Sequence, residues 1–387
     1  MTQAVAFTSR TPGAKPLVRL VRSGSEYFEL LEQLIQHARH TVHLQTYIFV
    51  DDDTGQRVAR ALTDAALRGV EVFLVADGYA SQGLSSEFIQ YLEVAGVQFR
   101  FFDPLLKSKF FYFGRRLHHK VFTVDGRAAL VGGINISNNY NDTLEKTAWL
   151  DWALYVEGEP AIELETICRY RAKGASTAGL FRKPFRWPHA SAGPVYVRVN
   201  DWVRRKREIT HTYLQMLRHG KDHVTILSSY FLPGKVLRKN LANATKRGLK
   251  IRLIVAGISD VAIAKYAERY MYRWLLKNRI EIFEYQRNVL HGKLAVCDGQ
   301  WLTLGSYNIN NISAYASIEL NLDVHDPELA QLAESRLQHI IDRDCLAITP
   351  ETYRHLSFGW QRFLQRSAYD FFRVLLFLFT FYFRQRE

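Results

Sequence analysis

Apolar residues recur along this chain in two alternating periods. Residues 24–38 place Phe28, Leu31, Ile35 and Ala38 at helical spacing, and the run VHLQTYIFV from Val42 then reads as a buried strand. A helical stretch follows (GQRVARALTDAALRG), then the strand VEVFLVADG from Val70, the helix SSEFIQYLEVAG and the strand VQFRFF from Val97. The second half replays this order. Residues 207–218 are helical, VTILSSYFL from Val224 is strand-like, and KVLRKNLANATKRG is helical. LKIRLIVAG from Leu249 is a strand, residues 266–276 are helical, and RIEIFEY is a strand. Arg68-Gly69-Val70 in the first half matches Arg247-Gly248-Leu249 in the second. Alternating strands and helices imply an α/β fold, with a mostly parallel mixed sheet flanked by helices in each half. The repetition predicts two halves related by pseudo-twofold symmetry.

The stretch around Ala172–Pro194 is polar and contains Gly and Pro, so it reads as the join between the halves. The expected organisation is a first half over 1–175, a linker over 176–195, a second half over 196–345 and a tail over 346–387. The first half carries an insert, residues 104–116, for which the second half has only QRNVL. It mixes Phe110, Phe111, Tyr112 and Phe113 with Lys107, Lys109, Arg115 and Arg116, a composition suited to acyl chains and phosphates together, or to a packed insertion.

One pattern occurs twice, residue for residue over eighteen positions. LHHKVFTVDGRAALVGGIN and LHGKLAVCDGQWLTLGSYN both read H-x-K-x4-D-G-x5-G-[GS]-x-N. The first supplies His118, Lys120, Asp125, Gly133 and Asn135. The second supplies His291, Lys293, Asp298, Ser306 and Asn308. A lone H-x-K carries almost no information, but two copies sharing the downstream Gly and Asn are far beyond chance. Residues two apart on a strand point to one face, so each His and Lys would act together. V-D-G and C-D-G read as tight turns, after which AALVGG and WLTLGS return as paired strands. Small residues at Gly132-Gly133 and Gly305-Ser306 would let backbone approach a phosphate, and Asn135 and Asn308 could donate to its oxygens.

Two imidazoles and two ammonium groups suit a phosphodiester. One neutral imidazole attacks phosphorus, and the other, protonated, gives its proton to the leaving alkoxide. Lys120 and Lys293 stabilise the charge that builds on the non-bridging oxygens. Asp125 and Asp298 complete the motif's catalytic set, although an aspartate before glycine more naturally fixes the turn than touches substrate. Asp151 in WLDWALYVEG and Glu319 in SIELNLDVHD stand at similar offsets downstream and are expected to orient the second imidazole nitrogens. The chemistry calls for no metal and no cofactor.

Composition narrows the partner. The 387 residues carry a formal charge of +13, which draws polyanions, whether nucleic acid or anionic lipid, without choosing between them. Cys168, Cys297 and Cys345 fit neither a disulfide framework nor a zinc site and read as buried reduced thiols. From Phe371 to Phe383 the chain is apolar except for Arg373 and Thr380. As a helix this stretch would be ~20 Å long against a hydrocarbon core of ~30 Å. It therefore reads as an interfacial anchor at residues 371–386 or as a docked terminal helix.

The paired motifs resemble those of the phospholipase D superfamily, and LQTYIFVDDDTGQ, LVADGYASQGLS, FRFFDP and ALVGGIN look like the bacterial cardiolipin synthases, closest to the type B form. The resemblance covers nearly the whole chain. It implies phosphatidyl transfer from one phosphatidylglycerol to another, with His118 as nucleophile and His291 as acid. The residues themselves treat the two histidines alike. It further implies anionic phospholipid partners, contact with the bilayer through residues 104–116 and 371–386, a peripheral location on the cytoplasmic side of a bacterial membrane, and no nucleic acid partner. The second motif continues Y-N-I-N-N-I-S, without the Asp and Pro that commonly follow the Asn in that family, which bears on the choice of acceptor. A hydrolase or a metal-independent nuclease would use the same two histidines, and an idle lipid-binding scaffold would keep the fold without the chemistry.

Overall fold

The computed structural model describes residues 15–104, 116–172, 194–201, 204, 206–310 and 317–384, with side chains described as far as Val374 in the last helix. The chain divides into two compact units, with the boundary between Val197 and Arg198. The insert expected at 104–116 and the linker expected at 176–195 lie almost wholly outside the described residues.

The first unit runs β1 (Val18–Arg22), α1 (Ser25–Gln36), β2 (Thr41–Thr46), α2 (Asp53–Leu67), β3 (Glu71–Asp77), α3 (Ser86–Val94), β4 (Gln98–Phe102), β5 (Arg116–Leu117), β6 (Lys120–Val124), β7 (Ala128–Gly132), β8 (Trp152–Glu157) and α4 (Glu159–Ala172). Its seven-stranded sheet has the order β1-β8-β7-β6-β2-β3-β4. The helices start where side chains satisfy their first N–H groups: Asp52 accepts from Gly55 at α2 and Ser85 from Phe88 at α3. The core joins Phe28, Leu31 and Ile35 of α1 and Val58 and Leu62 of α2 to Val42, Leu44, Phe122 and Leu130 of the sheet. β6 and β7 are buried along their whole length, which is why they read as unbroken apolar runs.

The second unit repeats the plan: β9 (Val195–Asp201), β10 (Lys206–Arg207), α5 (Glu208–His219), β11 (His223–Ser228), α6 (Lys235–Lys246), β12 (Lys250–Ile258), α7 (Ala262–Lys277), β13 (Glu281–Val289), β14 (Lys293–Cys297), β15 (Trp301–Gly305), β16 (Ser317–Val324) and α8 (Pro327–Asp344). Then come β17 (Cys345–Ala347), α9 (Pro350–Leu356) and α10 (Trp360–Arg384). Its sheet runs β10-β9-β16-β15-β14-β11-β12-β13-β17.

The expected α/β halves are present, but the sheets are less parallel than the alternation implied. In the first unit only β2–β3 and β3–β4 pair in parallel, and in the second only β11–β12 and β12–β13 do among the registers described. The reason lies in the motif. A tight turn opened by Asp-Gly can join only antiparallel neighbours, so each motif folds as a hairpin at the middle of its sheet. In the first, Lys120 faces Gly132 and Val124 faces Ala128; in the second, Leu294 faces Leu304 and Cys297 faces Trp301. The fixed spacing from Lys to Gly-Gly or Gly-Ser is the length of one five-residue strand, a turn, and the strand that returns.

The motif aspartates hold these hairpins in place. Asp125 and Asp298 adopt φ of 52° and 53°, and the glycines after them 60°. A short polar side chain tolerates this left-handed region, and glycine adopts it freely. Asp125 accepts from the N–H groups of Arg39, His40 and Thr41 at 2.9, 2.7 and 2.8 Å, tying the loop before β2. Asp298 accepts from Lys221, Asp222 and His223 at 2.8, 2.9 and 2.9 Å, tying the loop before β11. Both carboxylates lie at the far end of a five-residue strand from the histidine, seven residues on, roughly 23 Å along an extended chain. Their place in the catalytic set is therefore corrected: they are backbone anchors. Partial burial disfavours the Asp298 carboxylate, but the three N–H groups outweigh it and hold its pKa below the usual 3.8.

The tail's helix is longer than the apolar stretch that marked it in the sequence. α10 begins at Trp360, well before the apolar run, and its first half docks on α7: Ala368 is buried and the Tyr369 ring lies 4.9 Å from that of Tyr270. Among the described residues no helix is long and apolar enough to cross a membrane. Cys168 and Cys297 are buried free thiols, whereas Cys345 is only half-buried.

Asp298→Ala is expected to lower stability by about 2 kcal/mol, the cost of losing charge-assisted bonds to three backbone donors. A carboxyl with a depressed folded pKa contributes fully above its unfolded value and loses that contribution as pH falls through the folded one. The denaturation midpoints of variant and native protein should therefore converge below about pH 3.8. Turnover per folded molecule should stay close to native; a selective loss of turnover would restore Asp298 to the chemistry.

Candidate active site

In each unit the motif histidine stands two residues before the first hairpin strand and the lysine is that strand's first residue. In the first unit Lys120 is buried and its Nζ donates to the His118 carbonyl oxygen at 2.6 Å. The same ammonium lies 5.1 Å from the centre of the Tyr47 ring, and that ring meets the half-buried His118 imidazole edge-on at 4.7 Å. A cation over an aromatic face is stabilised electrostatically, so Tyr47 braces both members of the pair.

The neighbouring His119 points the other way. It is fully buried, and its Nε2 lies 2.8 Å from Gln45 Oε1, an atom that can only accept. Gln45 Nε2 in turn donates to the Cys168 carbonyl at 2.8 Å. Burial first, then Arg171 and Lys120, depress the His119 pKa far below its usual value, so the ring is neutral at physiological pH. The middle position of H-x-K is thus structural, which fits Gly292 occupying it in the second motif.

Asp77 at the end of β3 fixes the approach to His118. Its Oδ2 accepts from Leu117 N at 2.8 Å, its Oδ1 accepts from Tyr79 and Ala80, and Arg116 lies 3.4 Å away. Burial raises its pKa, with the Arg116 charge and these N–H groups opposing. Neither Asp77 nor Tyr47 was singled out in the sequence; a carboxylate closing an apolar strand (LVAD) was the available signal for the first.

The other expected residues sort into pairs. Gly133 N donates to the Trp152 carbonyl, and a Cβ at Gly133 would sit 2.5 Å from both oxygens of Asp151, which is wholly buried. Asp151 Oδ1 accepts from Trp152 N at 2.7 Å. Asn135 Oδ1 accepts from Ile48 N at 3.0 Å and its Nδ2 donates to the Tyr140 hydroxyl at 2.8 Å. Its amide thus braces the loop after β2, with one Nδ2 hydrogen beyond these two bonds.

The second unit builds the same pieces with different chemistry. Lys293 is buried, donates to the His291 carbonyl, and lies 3.1 Å from His291 Nδ1. Ser306 stands where Gly133 does, and its hydroxyl donates to Glu319 Oε2 at 2.5 Å. Glycine beside the shorter Asp and serine beside the longer Glu are matched solutions to one contact. Asn308 Oδ1 accepts from Ser229 Oγ at 2.7 Å. Two residues along the same loop, Phe231 N donates to the buried Glu268. That carboxylate belongs to a network with Lys265, Glu284, Arg269 and Tyr272. Burial opposes ionisation of Glu284, but Lys265 and Arg269 outweigh it and hold it at about 2. Burial raises Glu268 despite Lys265 beside it.

The family model described as cardiolipin synthase, phospholipase D-like domain, matches residues 31–151 and again 213–341, one match over each hairpin. Cardiolipin synthase B of Escherichia coli K12 is 32% identical, over 92% of this chain and 87% of its own. The chain belongs to the phospholipase D-like cardiolipin synthase family. Cardiolipin synthase 1 of Bacillus anthracis is 28% identical over 95% of this chain and 72% of its own. Among solved structures, phosphatidylserine synthase of Haemophilus influenzae superposes with a TM-score of 0.73 at 14% identity, covering 92% of this chain and 93% of that one, which shows a shared fold. As a family member the chain is an enzyme of the phosphatidyltransferase type.

Gly133→Ala tests the Asp151 contact. The added methyl must displace a buried carboxylate or the backbone of β8, a cost of about 1–3 kcal/mol by analogy with overpacked cores. Phosphodiester transfer should fall at least about tenfold while the protein stays folded by circular dichroism. Native turnover in this variant would show that the position of Asp151 does not matter.

Proposed function

We propose that this enzyme makes cardiolipin from two molecules of phosphatidylglycerol through a phosphohistidine, releasing glycerol. His118 attacks phosphorus with a lone pair of its neutral imidazole, forming a P–N bond. The bond from phosphorus to the glycerol oxygen breaks, and protonated His291 gives that oxygen its proton. His291, now neutral, takes the proton from a hydroxyl of the second phosphatidylglycerol. That oxygen displaces His118 from phosphorus and both imidazoles return to their starting states. Lys120 and Lys293 stabilise the charge on the non-bridging oxygens at both steps. Asn135, Asn308 and the backbone at Gly133 and Ser306 serve as further phosphate contacts, and Asp151 and Glu319 orient the imidazoles. The assignment of His118 as nucleophile rests on resemblance to the family.

The observation that carries the proposal is the duplication of one chemical device: each unit holds a buried lysine against the backbone of its motif histidine. A single such device supplies an attacking group or a proton donor, and the reaction needs both. The printed names of the relatives supply the substrate class. The apolar end of α10 and the charge of +13 favour work at an anionic bilayer, and three free cysteines favour its cytoplasmic face. A nuclease would share the histidines but leaves the apolar tail without a role.

Incubation of the purified enzyme with phosphatidylglycerol vesicles should give cardiolipin and glycerol in equal amounts by mass spectrometry. Phosphatidic acid in place of cardiolipin would make the enzyme a hydrolase, and cleavage of DNA in chelator with intact lipid would make it a nuclease. His118→Ala and His291→Ala should each lose at least ~10²-fold in activity. Full activity in either would remove the two-histidine mechanism.

A further inference from the structure

α10 has a direction that its sequence does not disclose. β17 pairs antiparallel with β13, so the chain leaves at Ile348 beside Ile282, at the end where β13 begins. α9 follows there, and Gln365 in the second turn of α10 bonds back to Leu356 and Ser357. One turn further, Tyr369 stacks near Tyr270 in the middle of α7 and reaches Arg238 in the first turn of α6. α6 and α7 both begin where their parallel strands end, so α10 climbs antiparallel to α7 toward that end. From Tyr270 to Ala262, α7 has about 12 Å left; from Tyr369 to Arg384, α10 has about 22 Å. α10 therefore overshoots α7 by about 10 Å. Lys293 pairs with Ser228, the last residue of β11, so the motif histidine and lysine lie at this same end of the unit.

A second feature stands there. The end of β12, the turn after it and the first turns of α7 expose Ile258, Val261, Ile263 and Tyr266, each at 39–47%. Four large apolar groups crowded into one connection are not the scattered exposure an ordinary surface shows. On α10, Phe371 and Val374, beyond Tyr369 on the climb toward this end, are also exposed.

We propose that the β12–α7 turn and the end of α10 form one bilayer-docking surface that sets the His291–Lys293 end of this unit against an anionic membrane. This deepens the phosphatidyltransferase reading and rests on it. The apolar turn enters the headgroup boundary, and the end of α10 reaches that layer beside it. α10 is then both a docked strut and an anchor: its first half fixes the second at the height of the site. Substrate whose phosphate lies in the headgroup layer need not leave the bilayer to reach the histidine.

The test uses Ile258→Ser with Val261→Ser and Ile263→Ser, all exposed, and separately a chain ending at Val374. Each is compared with the native protein on vesicles of phosphatidylglycerol in phosphatidylcholine, on phosphatidylcholine alone, and on dispersed short-chain phosphatidylglycerol. A triple Ser variant should lose at least roughly tenfold in vesicle co-sedimentation, since three apolar side chains no longer leave water. Turnover on vesicles should fall in step while turnover of short-chain substrate stays within about twofold. The shortened chain should behave the same way, and native binding to phosphatidylcholine alone should be weak. Native co-sedimentation by both variants would overturn the surface. Native protein that binds vesicles but turns over no lipid in either form would overturn the phosphatidyl reading and leave the surface standing.

Discussion

The contact on which the rest depends is the clamp between each motif aspartate and three backbone N–H groups. It fixes where an Asp-Gly hairpin begins to turn, and the strand register then does everything else. Lys120 falls opposite Gly132, and Gly133 falls against Asp151. The second hairpin repeats the register, with Ser306 against Glu319. A slip of one residue would turn the lysine to the other face and the glycine away from the carboxylate. The motif's spacing is thus a statement about register, and its most distant member serves the histidine without approaching it.

From that frame, the reactive groups are held by contacts that differ between the units. Lys120 shares its charge with a carbonyl and the Tyr47 ring, whereas Lys293 lies against its own histidine's Nδ1. The loop after β2 is braced by neutral groups, Ser81 and Asn135, while the loop after β11 is braced by Glu268 in a charged network. The proposed mechanism gives the two histidines opposite roles, which need unlike surroundings, and a duplicated sequence can diverge into them.

Much of this was legible in the sequence because it rests on periodicity. The six central elements of each half follow from apolar spacing, and the hairpins follow from D-G between apolar runs. The antiparallel share of the sheets was not, since alternation suggests crossovers and says little about the meander that follows. Of the edge elements, β1 is only five residues long, and α4 lacks a clear apolar stripe because its buried face includes Glu165, Cys168 and Arg171. Asp before Gly already marked Asp125 and Asp298 as turn residues, but the three N–H contacts that tie each hairpin to a distant loop were not legible. The direction of α10 and the exposure of the β12–α7 turn depend on packing between distant segments, which no local pattern encodes.

The central claim is that one phosphorus passes through a bond to His118. Acid-free quenching of the enzyme a few milliseconds after mixing with phosphatidylglycerol, followed by peptide mass mapping, tests it most directly. A phosphatidyl mass on the peptide carrying His118, formed by the native enzyme and absent from His118→Ala, is the expected result. An adduct on any other residue, or full turnover with no adduct at any time, would contradict it.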